Sequence, residues 1–211
     1  MSDNTPTLEP AQLRGFALVA DVVARALAQQ PDVEVVGAVQ RVADALGDDR
    51  FADVRPGDEL DQRFFNRFVV TSSPYYLPLV EGSVREAYEE DGVLRYGPLR
   101  SKHSDHVLAC YRSVRFDHGD WGARGVVARG LKPDALACEL EFMASLAQAA
   151  CDGATEEERE AAQRLLARFA GDHAARWFGR AAGYAARIED DFYARLVALA
   201  AESVEALAEA A

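Results

Sequence analysis

Basic residues are scarce in this 211-residue chain. Lys and Arg number 23 against 35 Asp and Glu, a formal net charge of −12 at pH 7. A surface with that balance repels phosphate backbones and anionic lipid heads, which argues against nucleic acid or an anionic membrane as partner and favours a cationic one. Cysteines are few as well. Cys110, Cys138 and Cys151 form no Cys-x-x-Cys pair and are odd in number. They are expected to be reduced, mostly buried thiols of a cytoplasmic protein. No stretch approaches the ~18 apolar residues of a membrane span. The opening MSDNTPTLEP has no basic segment followed by an apolar one, so no signal peptide is expected, and these first polar residues are expected to be frayed. Phosphate-cradling loops of the GxxxxGK[ST] or GxGxxG type are missing, as is HExxH.

What is present is a helical pattern. Hydrophobic residues make up 49% of the chain, enough for one domain with a substantial core. Within Glu9 to Gln29, Leu13, Phe16, Ala17, Ala20, Val23, Ala24 and Leu27 follow the three-and-four spacing of an amphipathic helix. Pro31 with Asp32 marks a break, Val35 to Leu46 repeats the pattern, and Gly47 supplies a stop. Leu60 to Val70 reads as a third, Phe-rich helix. VVTSSPYYLPLVEGSVREAY reads as a structured loop followed by a short helix, and EEDGVLRYGPLRSKHSD as a long polar connection. Asp105 to Phe116 is a helix, and the glycine-rich Asp117 to Lys132 a loop. The spacing predicts further helices over Asp134 to Ala150 and from the Thr155–Glu158 capping box to Ala170. Gly171 is expected to close that helix and Asp172 to cap the next; a last helix starts near Glu189 and runs to the end. The predicted fold class is all-α, a single domain of roughly eight to ten helices in an N-terminal part (about 8–100) and a C-terminal part (about 101–211).

Candidate chemistry is thin. In PDALACELEFMASL, Glu139 and Glu141 are two residues apart. A helix turns ~100° per residue, so they point to nearly opposite sides and cannot clamp one ion together. Asp134, at the front of that helix, is expected to act as its N-cap; Glu139 is expected at the interface between the two parts, and Glu141 in solvent. His103 and His106 in HSDH are three apart and could lie on one helical face, but no third ligand accompanies them. Ser83 in EGSVR lacks the strand that precedes a nucleophile elbow. His173 and Trp177, four apart, are expected to pack on one helical face. No catalytic constellation, cofactor or metal is expected. A metal-dependent helical hydrolase built on His103 and His106 is the alternative.

Several stretches together resemble the TorD/DmsD family of cytoplasmic molybdoenzyme-maturation chaperones, with NarJ as a more distant relative. KPDALACELEFMASL is similar to the family segment in which Pro-Asp-His opens a helix and Glu-Leu-x-Phe-Met follows. FAGDHAARWFGRAAGYAARIEDDFYARLVALA is similar to its His-x-x-x-Trp helix followed by a Phe-Tyr helix. FNRFVVTSSPYYLPLVEGSV resembles its Phe-rich helix and proline loop, and VLACYRSVRFD its Tyr-containing helix. The likeness spans most of 60–200. It departs from the family where Ala135 stands in place of the frequent His after Pro-Asp. The resemblance implies an all-α chaperone that binds the twin-arginine signal peptide or the apoprotein of a molybdenum-containing oxidoreductase before cofactor insertion and export. It implies a partner-peptide site drawn from Phe68, Tyr76, Pro78, Glu81, Ser83, Asp134 and Glu139, with Glu81, Ser83 and Asp134 approaching one another at a groove between the two parts. It leaves a monomer or a domain-exchanged dimer open.

Overall fold

A computed structural model describes residues 8–125 and 127–210. The expectations for the first residues and the final one therefore lie outside the described residues. The chain forms nine α-helices and one small hairpin among those residues. In order they are α1 (Pro10–Ala28), α2 (Val33–Leu46), α3 (Asp58–Phe68), α4 (Glu81–Arg85), β1 (Tyr88–Glu90), β2 (Val93–Arg95), α5 (Lys102–Ser113), α6 (Leu136–Asp152), α7 (Glu156–Asp172), α8 (Phe178–Ile188) and α9 (Phe192–Ala210). The all-α expectation holds. No described helix is long and apolar enough to cross a membrane.

Helix α1 is the centre of the packing, lying against α2, α6 and α9. Its buried face carries Ala17, Ala20, Ala24 and Ala28 beside Leu13, Phe16, Val23 and Leu27. Alanines let backbones approach closely, and α6 answers with Ala137, Ala144 and Ala147 between Leu136, Leu140 and Met143. Side chains from both expected parts share this one hydrophobic core, so burial of α1 is inseparable from burial of α6 and α9. At the other end, α3 places Phe64 and Phe68 against Tyr193 of α9, with ring centroids 6.0 and 5.1 Å apart. The same helix buries Arg67, whose Nε donates to Asp191 at 2.9 Å.

Helix ends follow local chemistry. Asp32 caps α2 by accepting from the Val35 N–H at 2.8 Å, and Gly47 closes it in the left-handed conformation at φ 72°, where a Cβ would be strained. The Thr155–Glu158 capping box is formed on both sides. Two expected boundaries are corrected. Gly171 lies inside α7, which runs on to Asp172, and Asp172 caps nothing. The chain then leaves through a 3-10 turn, Ala174–Arg176, before α8. His173 and Trp177 consequently sit at the two ends of a bend, not on one helical face. The polar connection after α4 also holds structure the sequence pattern did not suggest: β1 and β2 pair antiparallel with Glu90 opposite Val93. Asp91 and Gly92 turn the hairpin with φ of 52° and 75°, the positive pair that a two-residue Asp-Gly loop adopts.

The arm after this hairpin is held by a close backbone approach. Gly97 N–H donates to the Ser83 carbonyl at 2.9 Å. A Cβ on Gly97 would stand 2.7 Å from Glu86 Cβ and 2.8 Å from the Gly82 carbonyl oxygen. Gly97→Ala is therefore expected to destabilise the fold by ~1–3 kcal/mol through overpacking. Thermal unfolding measures this, and an unchanged Tm would mean that the arm yields freely.

Candidate functional site

The proline loop between α3 and α4 is sewn onto the start of α6. Leu136 N–H donates to the Leu79 carbonyl at 3.0 Å and Glu81 N–H to the Asp134 carbonyl at 2.8 Å, around an isolated antiparallel bridge between Val80 and Ala135. These bonds carry Glu81 and Asp134, 53 positions apart in the chain, into contact. Asp134 is not the cap of α6. Ala135 occupies that position without a side-chain bond, and the Asp134 carboxylate instead accepts from Gly82 N–H of α4 at 3.4 Å. Its other oxygen is buried with no partner. Burial pushes its carboxyl up, only partly offset by Ser104 and the Gly82 N–H.

Around this junction lies a buried polar network. Glu81 is fully buried and makes two strong contacts, to Arg85 Nη1 at 2.6 Å and to His173 Nδ1 at 2.8 Å. Burial opposes its ionisation, but the His173 and Arg85 bonds prevail and hold the carboxyl below its ordinary range. Glu139 lies close by, also fully buried. Trp177 Nε1–H donates to its Oε2 at 3.0 Å, while its Oε1 has no partner. Burial and then the neighbouring Glu81 charge push Glu139 well up. Two carboxyls in one site are thus shifted in opposite directions, because Glu81 is bonded directly to Arg85 and His173 whereas Glu139 is bonded only to the neutral Trp177 N–H. His173 continues the chain outward, with Nε2 2.7 Å from His106 Nδ1 and the two rings stacked at 4.9 Å.

The seven expected site residues divide into two groups. Glu81, Ser83, Asp134 and Glu139 come together, all four shielded from solvent; Ser83 donates its hydroxyl to the Pro98 carbonyl at 3.1 Å. Phe68, Tyr76 and Pro78 instead line an open groove of about 300 Å3 with Leu27, Leu79, Leu99, Leu131 and Ala135. The bridge residues Val80 and Ala135 form part of that groove's wall, so the buried acids stand behind it and do not face it. A larger depression of about 530 Å3 is bounded by α1, α2, α3 and the loop before α6. Phe64 and Phe65 line it together with Asp21, Asp32, Glu34, Arg25 and Arg124.

Other expectations require correction. Glu141 is not solvated. It is largely enclosed near Asp21 and Arg25, with one oxygen buried and unpartnered, and burial followed by the Asp21 charge pushes its carboxyl up to about 8. Its direction opposite to Glu139 is as the helical rotation requires. His103 and His106 do not act as a pair: His103 faces Glu81 at 3.7 Å and Glu86 at 4.0 Å, whereas His106 meets His173. Of the cysteines only Cys138 is buried; Cys110 and Cys151 are half-buried. The Glu81–His173 and Glu139–Trp177 contacts escaped sequence reasoning, because contacts spanning 92 and 38 positions leave no local period. The Asp-Gly dipeptide was a readable signal for the hairpin.

No curated protein and no solved structure matches the chain. The family model described as nitrate reductase delta subunit matches residues 34–182. That span is more than half of the chain, and it takes in every side chain of the buried network and the loop sewn to α6. The chain therefore belongs to the nitrate reductase delta subunit family, whose members are maturation chaperones of redox enzymes.

Proposed function

We propose that this protein is a maturation chaperone that holds a segment of a molybdenum-containing oxidoreductase precursor, its twin-arginine signal peptide or a stretch of the apoprotein, before cofactor insertion and export. The carrying observation is the pair of adjoining depressions on α1 and α3. One is apolar and lined by Phe68, Tyr76, Pro78 and Leu99. The other sets Asp32 and Glu34 beside Phe64 and Phe65, with Asp21 already paired to Arg25 at 2.7 Å. A twin-arginine segment presents two guanidinium groups followed by apolar residues. Carboxylates suit the first part through charge-assisted hydrogen bonds, and an apolar groove suits the second. Glu81, Ser83, Asp134 and Glu139 then act from behind the wall, fixing the loop that carries Tyr76 and Pro78. The three free cysteines fit a reducing compartment, the cytoplasm. The protein works as a monomer or a domain-exchanged dimer. Hydrolysis through His103 and His106 is not favoured, since the two rings face different partners.

The test is titration with a labelled synthetic peptide bearing two adjacent arginines and an apolar stretch. Leu99 is 48% exposed, so Leu99→Asp is expected to fold normally while weakening binding by about tenfold, ~1.4 kcal/mol, as an apolar contact becomes a buried charge. Glu34→Lys is expected to weaken binding chiefly at low salt, because exposed charge pairs are screened within ~8 Å at physiological ionic strength. No binding to the wild-type protein, or binding indifferent to Leu99→Asp, would remove this reading.

A further inference from the structure

We propose that His106, Cys110 and His173 form a binding site for a divalent transition metal, zinc being the best fit. His106 and Cys110 lie one helical turn apart on α5, and His173 reaches them from the bend after α7. Their donor atoms all lie within 4.8 Å of one another. This site is independent of the peptide-binding reading and uses none of the groove residues.

The ligand set is chemically apt. Two imidazole nitrogens and one thiolate, with a fourth position left to water, suit a borderline-soft tetrahedral ion. Access is open, since His106 is exposed and Cys110 half-buried. The outer shell is already built. A metal-binding histidine ordinarily gives its other ring N–H to a carboxylate, which fixes the tautomer and raises ligand basicity. His173 has that arrangement: Nδ1 is 2.8 Å from the buried Glu81 carboxylate, which leaves Nε2 unprotonated and directed at His106. Arg85, 2.6 Å from the other Glu81 oxygen, holds the carboxylate in place.

Without an ion, the His106 and His173 nitrogens share a hydrogen bond at 2.7 Å. A tetrahedral ion with metal–nitrogen distances near 2.0 Å separates two such nitrogens by about 3.3 Å. The rings must open by about 0.6 Å, and the exposed His106 side chain can do this by rotation. Binding moves the shared proton from His106 Nδ1 to its own Nε2 and releases the Cys110 thiol proton to solvent, giving a thiolate and two neutral imidazoles as ligands. A second grouping, Glu81, Glu139 and His173, also has its donors within reach of one ion. It is closed to solvent, and its Glu139 Oε2 is committed to Trp177. His173 Nδ1 there is the atom engaged by Glu81, so the outward-facing set is the one that binds. The bound ion would pin α5 to the bend between α7 and α8.

Cobalt(II) is the probe. The full-length protein, stripped with chelator, is titrated with Co2+ and then with Zn2+. Expected is one Co2+ per chain with a sulfur-to-cobalt charge-transfer absorption that zinc abolishes. Cys110→Ser should eliminate the absorption, and Cys151→Ser should leave it intact. His106→Ala should weaken binding at least about tenfold, and Glu81→Gln by about 10–100-fold while keeping the absorption, as loss of an outer-shell partner does. Far-UV circular dichroism checks each variant's fold; should Glu81→Gln unfold, the exposed His106→Ala still decides. No charge-transfer band in the wild-type protein, or a band that survives Cys110→Ser, would overturn the proposal.

Discussion

Asp191→Ala is expected to cost about 3–5 kcal/mol of folding stability. Arg67 and Asp191 are each only 1% exposed at the side chain, with Nε and Oδ2 at 2.9 Å. Removing one partner of a buried pair leaves the other charge uncompensated in a poorly polarisable interior. Arg67 has little else to turn to: Nη2 donates to the Glu189 carbonyl at 2.8 Å, and Nη1 is already buried without a partner. Asp191 also accepts from Ala194 N–H at 2.9 Å, so it caps α9 as well. The two roles separate experimentally. Asp191→Asn keeps a capping oxygen but loses the charge, and should retain most of the cost, recovering ~1 kcal/mol relative to alanine. Adding Arg67→Met to Asp191→Asn should restore much of the loss, because the orphaned cation is gone. Urea unfolding of the variants measures this. A loss near 1 kcal/mol for Asp191→Ala would reduce the pair to a helix cap.

The second large effect has the opposite sign. Glu141→Gln is expected to stabilise the protein by on the order of 2–3 kcal/mol at pH 8 and by nothing measurable at pH 4. The folded carboxyl titrates at about 8, against 4.5 for a free side chain. Below 4.5 it is protonated in both states and contributes no difference. As pH rises above 4.5 the unfolded chain releases its proton while the folded chain must keep it, so wild-type stability falls until about pH 8. Beyond that both states are ionised and the penalty is constant. The full shift would exceed this figure; partial solvent access to Glu141 reduces it. Arg25 does not rescue the group, because it is paired with Asp21 at 2.7 Å. Glutamine is neutral and similar in shape, so it removes the ionisation penalty and little else. Taking the mutant–wild-type difference at each pH cancels all other titrations. An equal difference at pH 4 and pH 8 would refute the buried-carboxyl account.

The amino-acid sequence by itself determined the helical character. The three-and-four spacing of Leu13, Phe16, Ala20, Val23 and Leu27 forces a buried stripe on α1 in whatever surroundings it folds. Gly47 and the Thr155–Glu158 box bound their helices through atoms within a few residues of one another. The opposed directions of Glu139 and Glu141 followed from helical rotation alone. Environment did not. Whether a carboxylate is solvated, caps a helix or sits unpaired in the core depends on what distant segments bring against it, and Glu141, Asp134 and Glu139 were each decided that way. Asp134 stands just ahead of a helix, where capping is the ordinary outcome, but the Leu79–Leu136 and Glu81–Asp134 bonds draw its side chain toward α4. His106 and His173 look unrelated at 67 positions apart, and only the bend at the end of α7 brings their rings together. Local periodicity is a property of neighbours along the chain; a site made by α4, α5, α6 and the α7–α8 bend is a property of packing, and tertiary structure alone could assemble it.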